Sequence, residues 1–168
     1  TVDWEKTAKT ANNDFTFVTY RRRREITAQH FEHSSYREKL IEHLFVGDLL
    51  KHSWLNDGCS LEVAKPEVDN AGYDLIAEAN GVVRHIQLKT SVSSGTTASQ
   101  KIHVRLADKP SGCVIWICYD EKTLELGPFL YFGASPGKPL PSLSEYKVGK
   151  HTKGNKDGIK AARQNIRV

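Results

Sequence analysis

A carboxylate, an amide and a lysine lie within one short stretch of the chain and could together bind a cation and act on a phosphodiester. They are Asp74, Gln87 and Lys89. Carboxylate and amide oxygens are hard ligands that suit Mg²⁺, which polarises a phosphodiester and lowers the pKa of a bound water. A neighbouring ammonium group can orient that water and balance the charge that builds on the phosphoryl oxygens.

A tight β-hairpin would bring these three side chains together. Asn80-Gly81 stands between two apolar-rich runs, which is the strongest local signal for a two-residue type I′ turn, because both turn positions need positive φ. With these two as turn residues, Asp74 lies opposite Gln87, and their Cβ atoms are about 5 Å apart. Lys89 returns to the face of Gln87, because side chains alternate along a strand. The sequence therefore predicts one surface cluster.

Each of these residues alone also has an ordinary structural explanation. Asp74 could cap a turn, Gln87 could be a polar strand residue, and Lys89 could protect an edge strand. Their directly opposed placement, which leaves Leu75 and Ile86 for the other face, favours a functional set over three unrelated roles.

The elements that must position this cluster are a long helix and a run of strands. Ser35 and Glu38 have capping-box spacing, and apolar residues then recur at helical spacing, so we expect a helix over 35–53. Alternating or apolar runs predict strands at 60–64, 72–79, 82–90, 101–106, 113–119 and 129–132. This order predicts an α/β fold with a mixed central β-sheet flanked by helices.

Asp74 followed by Gln87-Leu88-Lys89 resembles the D…(D/E)xK signature of the restriction-endonuclease-like, or PD-(D/E)xK, nuclease superfamily. The match is to the Q-x-K variant of Mrr-type nucleases, and the similarity covers about residues 35–120. The resemblance implies a restriction-endonuclease-like core. In it, Asp74, Gln87 and the Leu88 carbonyl bind Mg²⁺, for which Mn²⁺ is the expected substitute, and Lys89 activates or orients the water.

The resemblance also implies a glutamate on the first helix that supports the metal or its water. The expected helix offers Glu42, and Glu38 one turn earlier as the alternative. A solvated helix face explains either residue equally well. Gln87 departs from the family, because many relatives carry a carboxylate there. The missing charge should weaken metal binding, so activity would require a DNA phosphate to complete the coordination.

Charge is unevenly distributed along the chain. Residues 1–37 carry seven basic and five acidic side chains, and residues 38–145 carry ten basic and fourteen acidic ones. Residues 146–168 carry seven basic side chains and one acidic side chain. An acidic middle between basic ends fits a protein that holds a cation centrally and a polyanion peripherally, although a solvated tail is the ordinary alternative. The candidates for phosphate contact in the tail are Lys150, His151, Lys153, Lys156, Lys160 and Arg163.

Composition indicates one globular domain, since the 168 residues are 39% hydrophobic and 26% charged. We divide it into an N-terminal arm (1–32), a nuclease-like core (33–133) and a basic C-terminal extension (134–168). We expect a cytoplasmic location, because no run of about 18 apolar residues or secretory signal is present. The three cysteines form no CxxC pair and are expected to be reduced core residues. The segment 133–138 lacks phosphate-loop spacing, so no nucleotide cofactor is expected.

These observations favour a metal-dependent DNA endonuclease of restriction, defence or mobile-element type. A homodimer is expected if both strands are cut, because one site hydrolyses one strand at a time. Two alternatives stay open: a nucleic-acid-binding module that keeps the nuclease fold without turnover, as Gln87 would suggest, and an interaction domain whose basic tail binds an acidic protein. Nucleic-acid binding should weaken steeply with salt.

Overall fold

A computed structural model describes residues 33–68 and 71–144 of the chain, together with the backbone of 148–149 and 163–167. The N-terminal arm and most of the basic extension lie outside the described residues. Helix α1 spans Ser34–Asn56, slightly longer than predicted at both ends. Its N-cap is His33 without a side-chain capping hydrogen bond, so the predicted capping box at Ser35 was wrong.

In the part of the chain that the structure describes, the strands form one five-stranded and one three-stranded sheet. The larger sheet has the order β1-β2-β3-β5-β6, in which only β3 and β5 are parallel, and the smaller has the order β4-β8-β7. The chain is therefore α/β with a mixed sheet, as predicted. The strands are β1 (Glu62–Ala64), β2 (Leu75–Ala79), β3 (Val82–Val92), β4 (Ser99–His103), β5 (Gly112–Tyr119), β6 (Leu126–Gly133), β7 (Val148–Gly149) and β8 (Arg163–Arg167).

The hairpin between β2 and β3 has the predicted turn and register. Asn80 and Gly81 both have positive φ, 52° and 76°. Ala79 pairs with Val82 across the turn, and the same register continues to the pair of Leu75 and Ile86. The two-residue turn thereby fixes which side chains of β3 face each side of the sheet.

One face of the larger sheet packs against α1. Ile41 and Phe45 are the buried apolar residues of the helix, while Leu44 and Leu50 on its flanks are exposed. No helix among the described residues has both the length and the apolar character needed to span a bilayer. The main core consists of Ile41, Phe45, Leu75, Ala77, Ile86, Cys113, Ile117 and Tyr119.

The opposite face is covered by the connection from β3 to β5. The strand predicted at 101–106 ends at His103, and a 3-10 helix, Val104–Asp108, follows. The prediction was wrong there because the His103 side chain accepts the Arg105 N–H (3.2 Å) and so turns the chain out of the extended conformation. A second core forms on this face from Ile102, Leu106, Val114 and Leu140.

The turn gives a prediction about stability. At both Gly81 and Gly47, which lies in α1, an added Cβ would meet no atom within 4 Å, so only backbone conformation distinguishes the two sites. Gly81→Ala should lower the free energy of unfolding by about 1 kcal/mol because φ is positive there. Gly47→Ala should raise it by about 0.5–1 kcal/mol, because alanine favours a helix. Urea denaturation measures both. Equal effects would contradict the assigned turn.

Candidate functional site

The Asp74 carboxylate is fixed to the backbone of β3. The Asp74 Oδ2 atom accepts the Leu88 N–H at 2.6 Å, and the backbone N–H of Asp74 donates to the Ile86 carbonyl at 2.8 Å. Asp74 immediately precedes β2, and in the hairpin register the residue opposite Leu88 would be Tyr73. The carboxylate therefore takes the place of a backbone carbonyl at the end of the ladder. This holds it beside the residue that follows Gln87.

The Leu88 backbone presents a second oxygen to the same side. In a strand, the N–H and C=O of one residue point to the same neighbour, as they do in a hydrogen-bonded antiparallel pair. Since the Leu88 N–H points to Asp74, the Leu88 carbonyl points to the side on which the carboxylate lies. A charged and a neutral oxygen ligand are thus placed along one edge of β3.

Gln87 and Lys89 point to the face of the sheet that lies opposite α1. Gln87 is buried, with 5% of its surface exposed, and its Oε1 accepts the His103 N–H at 3.0 Å. Lys89 is half-buried on the same face. A backbone donor from the end of β4 therefore sets the orientation of the Gln87 amide, which the hairpin alone would leave free to rotate.

Glu42 lies under two lysines on the α1 side of the sheet. Its residue surface is 7% exposed, and Lys39 Nζ donates to Oε2 at 2.9 Å. Lys65 Nζ lies 2.5 Å from Oε1, although that oxygen accepts no well-aligned hydrogen bond. Burial raises the pKa of the Glu42 carboxyl, but the two ammonium groups outweigh it, so the pKa lies below the usual value. Glu42 is therefore an anion at neutral pH.

Lys39 links Glu42 to Asp74 electrostatically. The Lys39 pKa is raised, chiefly by the hydrogen bond to Glu42 and further by the negative charges of Glu42 and Asp74. Burial lowers the Lys39 pKa but does not outweigh these effects. The Lys39 ammonium group thus lies within electrostatic reach of both carboxylates. Glu38, the alternative glutamate, is exposed on the same helix.

The donors at this site fit Mg²⁺ better than a softer metal. In the described ranges, no group of three or more His, Cys, Asp or Glu side chains could hold a metal ion together. Mg²⁺ needs no such group, because it binds few protein oxygens and keeps waters or phosphate oxygens. A carboxylate offers about four lone-pair sites and an amide oxygen two, so each group can accept a hydrogen bond and still bind a cation. Asp74, Gln87 and the Leu88 carbonyl can hold such an ion.

The predicted phosphate contacts of the tail fall largely outside the described part of the chain. Lys150, His151, Lys153, Lys156 and Lys160 lie there. Arg163 begins β8, where its backbone pairs with His103 and Gly149. The extension thus returns to the core at the strand whose last residue contacts Gln87.

Three contacts of the site were not found from the sequence. The ion pair of Lys39 and Glu42 has i,i+3 spacing on a helix, so a local signal existed. Lys65 and His103 reach Glu42 and Gln87 only through the fold. No local pattern at either residue indicates its partner.

No protein-family model and no curated protein matches this sequence. A search of solved structures finds the bacterial homing endonuclease I-Ssp6803I, with 18% sequence identity and a TM-score of 0.26 over 56% of this chain and 78% of that chain. A TM-score this low does not establish a shared fold. The function must therefore be inferred from the residues of this chain.

The lysines on Glu42 predict a pH dependence of stability. A lowered folded-state pKa stabilises the protein above the ordinary value of 4.5, and this contribution is lost as pH falls through the folded-state pKa. In EDTA, the free energy of unfolding of wild type should exceed that of Glu42→Gln at pH 7, and the difference should shrink below pH 4.5. Urea denaturation from pH 7 to 3 measures it.

Glu38→Gln is the matched control for this measurement. It makes the same chemical change at an exposed position one turn earlier on α1, so its difference from wild type should change less with pH than that of Glu42→Gln. A difference between wild type and Glu42→Gln that stays constant over the pH range would show that Glu42 is not held by its lysines.

Proposed function

We propose that this chain is a metal-dependent DNA endonuclease that hydrolyses phosphodiester bonds with a restriction-endonuclease-like site. The observation that carries the proposal is the hydrogen bond from the Leu88 N–H to the Asp74 carboxylate. This hydrogen bond holds the Asp74 carboxylate beside the Leu88 backbone, where the Q-x-K pattern predicts an anionic metal ligand. The Gln87 amide and the Lys89 ammonium group come before and after Leu88, on one face of β3.

Each residue has a distinct part in the proposed reaction. Asp74 supplies the negative charge of the cation site, and Gln87 and the Leu88 carbonyl supply neutral oxygens. When bound there, Mg²⁺ would polarise the scissile phosphodiester and make a bound water more acidic. Lys89 orients the attacking water and balances the charge that develops on the phosphoryl oxygens.

Glu42 supports the site through its lysines. Each carboxylate oxygen of Glu42 faces an ammonium group, one from Lys39 and one from Lys65. The Lys39 ammonium group also interacts electrostatically with Asp74. The buried carboxylate holds the Lys39 ammonium group within electrostatic reach of Asp74, where it balances part of the negative charge of the site. Removing Glu42 would release the lysines and leave their charges unbalanced.

Gln87 supports the alternative that the chain is a nucleic-acid-binding module without turnover. An amide has no charge, so the set of Asp74, Gln87 and the Leu88 carbonyl carries a single negative charge. In the endonuclease proposal, phosphate oxygens of the substrate complete the coordination. The free protein should then bind Mg²⁺ weakly, and DNA should tighten that binding.

Plasmid nicking tests the endonuclease. With Mg²⁺ or Mn²⁺ and no EDTA, wild type should nick supercoiled DNA, whereas Asp74→Asn and Lys89→Ala should be slower by about 10²-fold or more. Asparagine keeps an oxygen that can accept the Leu88 N–H, so Asp74→Asn separates loss of charge from loss of structure. Circular dichroism should show a folded variant.

Lys122→Ala is the matched control for Lys89→Ala, because it removes a lysine from an exposed turn between β5 and β6. It should nick at the wild-type rate. Metal-dependent nicking that persists in folded Asp74→Asn would place the chemistry elsewhere. If wild type cleaves no supercoiled, single-stranded or branched DNA but binds DNA in a salt-sensitive way, the binding module is correct.

Gln87→Glu tests the part of the amide. A carboxylate can still accept the His103 N–H and adds one negative charge to the cation site, so we expect tighter Mg²⁺ binding in the absence of DNA. Isothermal titration of the metal into both proteins measures this. Gln87→Leu is the control, because it fills a similar volume without an oxygen and should bind Mg²⁺ no better than wild type. Unchanged affinity in Gln87→Glu would remove Gln87 from the ligand set.

A further inference from the structure

We propose that a small basic cavity beside the candidate site binds a backbone phosphate of the DNA strand, within a few nucleotides of the bond that is cut. The inference rests on the proposed function and names a subsite for its substrate. The cavity has a volume of about 230 Å³ and is lined by Ala71, Arg105, Asp108 and Lys109. We call it the phosphate cavity. It is distinct from the tail that the sequence indicated as the nucleic-acid contact.

The distribution of charge favours an approach of DNA from this side. Residues 99–110, which contain β4 and the 3-10 helix, carry three lysine and arginine residues against one acidic residue. Residues 33–80, which contain α1, β1 and β2, carry four lysine and arginine residues against nine acidic residues. A polyanion is attracted to the first group of elements and repelled by the second.

The cavity suits a single phosphodiester group. Arg105 and Lys109 contribute two positive charges and Asp108 one negative charge, so the lining has the net charge that one phosphodiester would neutralise. A water molecule occupies about 30 Å³ in the liquid, which leaves room for a phosphate with part of its hydration. Arginine offers its fork of donors to phosphate oxygens, while lysine acts as a point charge.

Contacts with neighbouring side chains hold Lys109 in place. Its Nζ lies 5.4 Å from the centroid of the Tyr73 ring, within the range of a cation–π contact. Tyr73 in turn packs edge-on against His85, with ring centroids 5.0 Å apart. Because the lysine is positioned before the substrate arrives, less side-chain entropy is lost when a phosphate binds.

Short connections tie the cavity to the candidate site. The Arg105 N–H donates to His103 Nδ1, and the His103 N–H donates to Gln87 Oε1. On the other wall, Ala71 lies three residues before Asp74, so their Cα atoms are at most about 11 Å apart. A DNA strand rises about 3.4 Å per nucleotide, so the cavity reaches a phosphate within about three nucleotides of the site.

The two walls meet at a glycine that no larger residue could replace without movement. Gly72 is buried with φ of 76°, and a Cβ at this position would overlap the His103 side chain. This contact sets the segment before β2 directly against the start of the 3-10 helix. The phosphate cavity and the ligands Asp74 and Gln87 therefore share both of their supporting segments.

The test is the salt dependence of DNA binding by the full chain in EDTA, where no cleavage occurs. A labelled 24-base-pair duplex is titrated by fluorescence anisotropy over a series of salt concentrations. For Arg105→Gln/Lys109→Gln, the slope of log K against log salt should be less steep than that of wild type by about 0.9, the loss of one phosphate contact. Arg105→Gln alone changes an exposed residue and should give part of this loss.

Lys51→Gln/Lys122→Gln is the matched control, since it removes the same charge from an exposed position on α1 and from the turn after β5. It should keep the wild-type slope. If both double variants change the slope equally, or if Arg105→Gln/Lys109→Gln keeps the wild-type slope, the phosphate cavity is not a subsite, and the endonuclease proposal stands if wild type still nicks DNA. Wild type that neither binds DNA nor nicks it would overturn the proposed function itself.

Discussion

The hydrogen bond between the Asp74 carboxylate and the Leu88 N–H is the constraint on which the arrangement of this molecule depends. A side chain here does what a backbone carbonyl does elsewhere in the hairpin, so the pairing of β2 with β3 ends without leaving the donor unsatisfied. The carboxylate that closes the ladder is also the only anionic member of the proposed metal set. The same hydrogen bond therefore fixes both the end of the β2–β3 pairing and the position of the carboxylate ligand.

The central strand β3 carries different chemistry on its two sides. Toward α1 its apolar residues join the main core, at whose margin the buried Glu42 is balanced by two ammonium groups, as a buried carboxylate requires. Toward the 3-10 helix it presents Gln87, which is oriented by His103. The parallel partner β5 continues both layers, so the connection between β3 and β5 has to cross the Gln87 face and supplies the contacts there.

The sequence predicted what is encoded locally. The Asn80-Gly81 turn carries its register in two residues, and the apolar spacing of α1 places Ile41 and Phe45 inward. The 3-10 helix was missed because Ile102, Val104 and Leu106 alternate with polar residues as they would in a strand, and the hydrogen bond from the Arg105 N–H to the His103 side chain leaves no such pattern. Lys65 contacts Glu42 across 23 residues, and His103 contacts Gln87 across 16 residues. The spacing of apolar residues along the sequence does not predict contacts between such distant residues. The proposed site residues themselves stay predictions, since their chemistry has yet to be tested.

This difference between local and distant contacts has a consequence for how the site is assembled. A hairpin closed by a two-residue turn forms in about 1–10 μs, whereas contacts that close long loops wait for the rest of the chain. We expect the Asp74 carboxylate to find the Leu88 N–H early in folding. The Gln87 amide is oriented only after the chain through His103 has been synthesised and docked. During synthesis, the proposed hydrolytic site would then stay incomplete until the crossover is in place, which delays any nuclease activity until the sheet has formed.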